Sequence, residues 1–158
     1  MKKIPLKNYF ILGIILASSI FIVLYINKLY LSTKNNDNIL NGFIKEIKTQ
    51  EVDNYIIENP NFIIYLGYKN NDNKSFEKKF KKLVTKYDLQ RDIVFIDINQ
   101  FNDVAFNEFC NKYADKLLNK DSSLIIIDNQ KIIDVLDITK ENSDIELVKM
   151  FFKKNGVY

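Results

Sequence analysis

The chain has 158 residues and a formal net charge of +3, from 23 basic and 20 acidic side chains, with one cysteine and no histidine. The lack of histidine excludes Ser-His and Cys-His nucleophile pairs and removes the commonest metal ligand, and a lone cysteine excludes an intrachain disulfide. Four glycines leave no glycine-rich phosphate loop, so we expect neither a metal nor a cofactor.

The N-terminal segment is strongly apolar. No charge occurs in the 18 positions from Tyr9 to Ile26, and a helix that rises about 1.5 Å per residue would cross most of a roughly 30 Å hydrocarbon core. Lys2, Lys3 and Lys7 precede this run, and the positive-inside rule then places the N-terminus in the cytoplasm. We predict a single-pass cell-membrane protein with a cytoplasmic tail (1–8), a transmembrane signal anchor (9–28), a linker (29–43) and an extracytoplasmic domain (44–158).

A cleaved signal peptide is the alternative for this segment. The apolar run is longer than a usual signal-peptide core, and Asn27-Lys28-Leu29-Tyr30 offers no small-x-small cleavage site. No cysteine follows the run, which excludes a lipoprotein anchor. We therefore favour an uncleaved anchor.

The charge beyond Lys28 is nearly balanced, because all 20 acidic residues and 19 of the 23 basic residues lie there. A nucleic-acid-binding domain needs a basic face, so we expect no nucleic-acid partner. The run Lys78-Lys79-Phe80-Lys81-Lys82 has the spacing of a solvated helix face.

The first part of the predicted domain contains one ambiguous element and one helix. Residues 43–48 alternate apolar and charged side chains, which fits a short strand or the end of a helix. Thr49 is the expected N-cap of a helix that carries Val52, Tyr55 and Ile56 and ends at Asn59-Pro60.

From residue 61 onward, apolar runs of strand length alternate with segments of helical periodicity. We predict strands at 62–66, 93–96, 124–127 and 132–136, with 128–131 as a hairpin turn. The helix after the first of these strands is predicted to bury Phe76, Phe80, Leu83, Val84 and Tyr87. The helix after the second strand is predicted to bury Val104, Ala105, Phe109, Tyr113 and Leu117, flanked by Phe106 and Cys110. The last helix, 145–154, buries Leu147, Val148, Phe151 and Phe152 and stops at Asn155-Gly156. This order predicts an α/β domain with a central mixed sheet and helices on both faces.

The polar stretch Asn70-Asn71-Asp72-Asn73 lies between the strand at 62–66 and the helix that carries Phe76. This order resembles the thioredoxin fold, and within it the bacteriocin transport accessory proteins of Gram-positive bacteria. Their active-site stretch reads approximately Tyr-Ile-Gly-Arg-x-Cys-Pro-x-Cys-x-x-Phe, which the segment from Tyr65 to Phe76 matches at its tyrosine, glycine and phenylalanine. The resemblance covers about residues 44–155.

Two departures from that family affect function. Asn70 and Asn73 occupy the positions of the two cysteines, and an amide can replace neither a thiolate nucleophile nor a resolving thiol. The family's Thr-Pro-Thr maps onto Asp121-Ser122-Ser123, so Ser122 replaces the cis-proline and we expect a trans peptide there. The resemblance thus implies a thioredoxin-like domain without its redox site.

Each remaining polar candidate also has a purely structural explanation. Asp72 or Asn73 is expected to cap the following helix, although the Asn70–Asn73 loop could instead bind an anion or a partner carbonyl. We expect Cys110 to be a small buried side chain rather than a reactive thiol. The carboxylates of Asp97, Asp134 and Asp137 are interpreted as exposed groups at strand ends.

The resulting hypothesis is a membrane-anchored, non-catalytic accessory protein that binds another protein or a secreted peptide during bacteriocin-type export or maturation. The export role comes only from the family resemblance. The alternative is a thiol-disulfide oxidoreductase that acts through Cys110, and a role in immunity or membrane stress fits the same anchor.

Overall fold

The computed structural model describes residues 6–36, 39–69, 74–114, 118–139 and 143–158. The chain divides into two compact units between residues 37 and 38. Leu40 is buried in the core of the second unit, so that unit begins before the boundary predicted at residue 44.

The first unit contains one long helix, α1, Leu6–Asn36, which extends into the segment predicted as a linker. Apolar side chains such as Ile14, Phe21 and Val23 are exposed along it. Among the residues that the structure describes, no helix combines the length and apolarity that crossing a membrane requires. The transmembrane anchor therefore stays a prediction.

The second unit contains the predicted alternation of strands and helices. Its strands are Lys45–Glu46 (β1), Phe62–Gly67 (β2), Ile93–Asp97 (β3), Ser123–Asp128 (β4) and Lys131–Asp137 (β5). Its α-helices are Val52–Glu58 (α2), Lys74–Lys86 (α3), Asp103–Tyr113 (α4) and Ile145–Lys154 (α5).

The five strands form one mixed sheet in the order β1-β3-β2-β4-β5. β2 is central, parallel to β3 and antiparallel to β4, and all six of its residues are buried. A strand covered on both faces reads as a continuous apolar run, which is why β2 and β3 were predictable from the sequence. The mixed sheet, with helices on both of its faces, confirms the predicted α/β class of this domain.

Two apolar clusters cover the two faces of the sheet. One contains Phe76 and Phe80 of α3 with Phe152 of α5, packed on Tyr65 of β2. The other contains Ile56 of α2 with the inner face of α4. Side chains alternate between the faces of a strand, so Ile63 and Tyr65 enter the first cluster and Ile64 and Leu66 the second.

The predicted β4–β5 hairpin is confirmed. Asn129 and Gln130 connect the strands with φ values of 50° and 64°. Positive φ at both central residues is typical of the two-residue turns whose twist matches that of paired strands. Asn129 tolerates this conformation better than Gln130, because a short amide side chain can bond its own backbone.

Two details of the predicted helices are wrong. Thr49 is not an N-cap, because a 3-10 turn, Thr49–Glu51, precedes α2 and the Thr49 hydroxyl donates to the Gln100 carbonyl at 3.4 Å. Val104 is exposed rather than buried, because it lies on the solvent side of the first turn of α4. Asn102 caps this turn by accepting the Ala105 N–H at 2.8 Å.

The inner face of α4 is instead formed by four residues at helical spacing: Phe106, Phe109, Cys110 and Tyr113. The helix ends earlier than predicted, since Ala114 is extended with φ −117° and ψ 145°. Leu117, the last predicted member of the apolar face, lies outside the described residues.

The three carboxylates predicted at strand ends are less exposed than predicted, and Asp134 lies in the middle of β5 rather than at its end. Asp97 is only 7% exposed, because it accepts the Asn99 N–H and so begins the 3-10 turn after β3. Asp134 accepts hydrogen bonds from the Lys154 ammonium at 2.8 Å and from the Asn155 amide at 2.9 Å, and Asp137 accepts one from Asn119. All three have a structural role.

Candidate functional site

The carboxyl end of β2 and the start of α3 flank the segment in which the resemblance places a redox site. Gly67 ends β2 in close contact with its neighbours: a Cβ there would lie 3.2 Å from the Phe95 ring and 3.3 Å from the Tyr65 ring. Contacts of that length are tighter than ordinary packing, which explains the glycine. Asn70, Asn71, Asp72 and Asn73 lie outside the described residues, and their placement at this site stays a prediction.

The two residues after Gly67 are attached to different parts of the domain. The Lys69 ammonium forms an ion pair with Glu46 of β1 at 2.6 Å. The Tyr68 hydroxyl donates to the Lys120 carbonyl at 3.4 Å, in the segment that leads into β4. These contacts fix the point at which the chain leaves the sheet after Gly67.

Ser122 lies at the same end of the sheet, just before β4 begins. Ser123, the first residue of β4, pairs with Leu66, so the antiparallel register places Ser122 beside Gly67. Ser122 is 2% exposed; its N–H donates to Asp121 and its carbonyl accepts the Ile138 N–H, both at 2.7 Å. The described residues include no cis peptide bond, as expected at this position.

Cys110 does not lie at this site. It is 0% exposed and belongs to the cluster on the α2 and α4 face, whereas α3 packs on the opposite face of the sheet. Its neighbours along the inner face of α4 are the apolar and aromatic residues Phe106, Phe109 and Tyr113. This burial agrees with the structural interpretation of the thiol.

A buried polar pair that the sequence did not predict lies behind the start of α3. Tyr65 is 0% exposed and Glu77, in the first turn of α3, is 2% exposed. Within the described residues the Tyr65 hydroxyl has no hydrogen-bond partner of standard geometry. Burial raises the pKa of Tyr65 far above its ordinary range, and the negative charge of Glu77 adds to this shift.

The pKa of Glu77 is raised as well, mainly because burial disfavours its charged form. The Ile39 backbone, the nearby Tyr65 hydroxyl and the charge of Lys74 favour the charged form and lower this pKa, but by less than burial raises it. Glu77 is three residues before Phe80 and seven before Val84, so its place on the apolar face was visible in the helical spacing.

A second polar cluster lies on the other face of the domain. Asp53 of α2 accepts hydrogen bonds from the Lys112 ammonium at 2.6 Å and the Tyr113 hydroxyl at 2.7 Å. These two hydrogen bonds lower the pKa of Asp53. They lie at the edge of an open cavity of about 570 Å³ that Thr49, Gln100 and Glu108 also line. Every charged group of the cluster has a partner, so it is a structural link between α2 and α4.

The expectation of neither a metal nor a cofactor stays a prediction. In the part of the chain that the structure describes, no group of three or more acidic or cysteine side chains is close enough to hold a metal ion. The structure thus brings Gly67 and Ser122 together at one end of the sheet, and it places the Tyr65–Glu77 pair behind them.

Comparison with known proteins identifies the architecture. No protein-family model and no curated protein sequence matches the chain. Thioredoxin f2 of Chlamydomonas reinhardtii superposes with a TM-score of 0.52 at 10% identity, over 71% of this chain and 95% of that chain. Fasciola hepatica thioredoxin gives a TM-score of 0.50 at 10% identity, over 70% of this chain and 98% of that chain. The described residues of the second unit therefore have a thioredoxin-like fold.

Proposed function

We propose that this protein is a non-catalytic, thioredoxin-like accessory protein that binds another protein or a secreted peptide. The role we assign is in the export or maturation of a bacteriocin-type peptide, as the sequence resemblance implies. We further propose that α1 tethers the domain to the cell membrane, with residues 1–8 in the cytoplasm and the domain outside.

The observation that carries the non-catalytic proposal is the position of the only thiol. Thiol-disulfide exchange requires an accessible thiolate and a second thiol that resolves the mixed disulfide. The chain has only Cys110, which is fully buried on the face opposite α3. A fold that thioredoxins use for dithiol chemistry is thus present without a dithiol of its own.

The membrane tether is supported by composition and by the side chains of α1. The run from Tyr9 to Ile26 has no charge, and described residues such as Leu16, Ile20 and Leu24 are exposed and apolar. A helix that is apolar all round needs an apolar environment, either in a protein core or in a bilayer.

The alternative enzyme would use Cys110 alone as a thiol-disulfide oxidoreductase. Reactive cysteines are partly exposed and usually lie near positive charge or a helix N-terminus. Cys110 is eighth of the 11 residues of α4 and has no exposed surface. Its environment favours packing over reactivity.

Insulin reduction tests the proposal. With dithiothreitol as the electron donor, we expect the purified full chain to reduce insulin no faster than dithiothreitol alone. The Cys110→Ser variant is the matched control and should give the same rate. A rate above background that disappears in Cys110→Ser would replace the proposal with the oxidoreductase alternative.

A further inference from the structure

The exposed side of α3 carries an unusual concentration of positive charge. The helix has one acidic residue, Glu77, and that carboxylate is buried on the inner face. Its lysines are Lys74, Lys78, Lys79, Lys81, Lys82 and Lys86. We call the exposed Lys78, Lys79, Lys82 and Lys86 the lysine face.

The charges of the lysine face are not balanced within the domain. In the part of the chain that the structure describes, Lys78, Lys79 and Lys82 form no ion pair, whereas Lys112 and Lys120 on other elements pair with Asp53 and Asp103. Lys78, Lys82 and Lys86 follow one another at i, i+4 spacing, at which like charges repel and destabilise a helix. A nearby anionic surface would relieve this repulsion.

The lysine face lies next to the point where the chain enters the domain. Lys78, Lys81, Lys82 and Lys86 line a shallow groove of about 640 Å³ together with Thr85 and Ile39. The Lys81 ammonium donates a hydrogen bond to the Ile39 carbonyl at 3.3 Å. Ile39 is only three residues after Asn36, the last residue of α1.

We propose that the lysine face docks on the anionic phospholipid headgroups of the membrane, an inference that rests on the proposed tether by α1. The predicted anchor ends at residue 28, and residues 29–36 extend α1 by about 12 Å beyond it before three further residues span at most about 11 Å. If a bilayer holds α1, the domain is therefore tethered within about 23 Å of the bilayer surface. Such a tether lets the lysine face come within the Debye length of about 10 Å over which unlike charges attract. Clusters of lysines beside a membrane helix bind anionic lipids through the negative surface potential of the leaflet that they face. In the proposed orientation this leaflet is the outer one, so the proposal requires anionic phospholipid there.

Lysine acylation of the full chain in nanodiscs tests this docking. An amine-reactive ester would be applied to discs of phosphatidylcholine alone and to discs with about 30 mol% phosphatidylglycerol, and modification measured by mass spectrometry. We expect the anionic lipid to slow acylation of Lys78, Lys79 and Lys82 by at least about threefold, with protection lost in about 0.5 M salt. Lys131, exposed at the start of β5, is the internal control and should react equally in both discs.

Equal acylation of the lysine face in both kinds of disc would overturn the proposal. Protection by polyglutamate but not by phosphatidylglycerol would also overturn it, and would assign the face to an acidic protein partner. If the chain fails to enter zwitterionic discs, the tether is wrong. The lysine face then remains supported only if phosphatidylglycerol vesicles bind the chain and Lys78→Gln/Lys79→Gln/Lys82→Gln lowers that binding by about tenfold or more. None of these results depends on insulin reduction.

Discussion

Glu77 is a carboxylate placed where an apolar side chain would be expected. It lies among Phe76, Phe80 and Tyr65, whose rings pack on the sheet: the centroids of Tyr65 and Phe80 are 5.4 Å apart. Burial makes its charged form costly, and the hydrogen bond from the Ile39 backbone only partly offsets that cost. The same helix, α3, is joined to the entry of the domain by the hydrogen bond from the Lys81 ammonium to the Ile39 carbonyl at 3.3 Å.

This arrangement predicts a specific dependence of stability on pH. Because the pKa of Glu77 is raised in the folded state, the folded protein binds this proton more tightly than the unfolded chain does. Its contribution to the free energy of unfolding should therefore fall as the pH rises from about 4.5 through the folded-state pKa. Glu77→Gln removes that loss. The free energy of unfolding of the variant, measured by urea denaturation, should therefore rise relative to that of the wild type as the pH rises across this window.

Glu51→Gln is the matched control, since Glu51 is exposed at the end of a 3-10 turn. It should leave the pH profile of the wild type unchanged. The account of Glu77 is wrong if the difference in free energy of unfolding between Glu77→Gln and the wild type is constant with pH. It is also wrong if Glu77→Gln becomes less stable relative to the wild type as the pH rises.

At the level of single residues, the sequence predicted apolar environments better than polar ones. Cys110 was expected to be buried, since it lies among aromatic residues at helical spacing, and it is. Asp97 was expected to be exposed, but it is buried and accepts a hydrogen bond from the Asn99 N–H. This hydrogen bond forms because the chain turns directly after β3. Hydrogen-bond partners of this kind depend on tertiary placement rather than on residue spacing.

At the level of elements, α3 and α5 end in the same way. After α3, the Leu89 N–H donates to the Val84 carbonyl and the Asp88 N–H to the Thr85 carbonyl; Asp88 has φ 56°. After α5, the same pair of hydrogen bonds surrounds Gly156, which has φ 65°. Both ends are Schellman motifs, in which the left-handed residue is most often glycine.

Because α3 and α5 end in the same motif, introducing a glycine after α3 and removing the glycine after α5 should have opposite effects on stability. Asp88→Gly should raise the free energy of unfolding by about 0.5–1 kcal/mol, because the left-handed conformation is strained for a residue with a Cβ. Gly156→Ala should lower it by about 1 kcal/mol, since nothing lies within 4 Å of the added Cβ and only the backbone conformation is affected. Thermal or urea denaturation measures both; effects of the same sign would contradict the assignment of the two motifs.

Strands and helices differed in how well the sequence located them. The buried strands β2, β3 and β4 were predicted to within about two residues, because both faces of each are covered and the apolar run marks the whole strand. β1 remained ambiguous, since it has two residues and both are exposed. The start of α2 was misplaced because a 3-10 turn separates Thr49 from the α-helix.

At the level of the whole molecule, regular alternation of elements specified the fold. Two helices pack on each face of one sheet, and this layering is shared with thioredoxins at only 10% identity. The sheet edge beside Ser122 was also predictable, because Gly67 and Ser123 occupy ends of neighbouring strands. The Tyr65–Glu77 pair was missed, because burial of a charged group runs against the rule that charges lie outside.

The central claim is that the segment at 70–73 occupies the place of a thioredoxin dithiol. Residues three apart at a helix start bring their Cβ atoms within the roughly 3.5–4.5 Å that a disulfide requires. In Asn70→Cys/Asn73→Cys, thiol titration in denaturant after mild oxidation should find one free thiol per chain, that of Cys110. The single variant Asn70→Cys, as a control, should retain two. Three free thiols in the double variant would mean that the two positions do not meet at the start of α3, and would contradict the account.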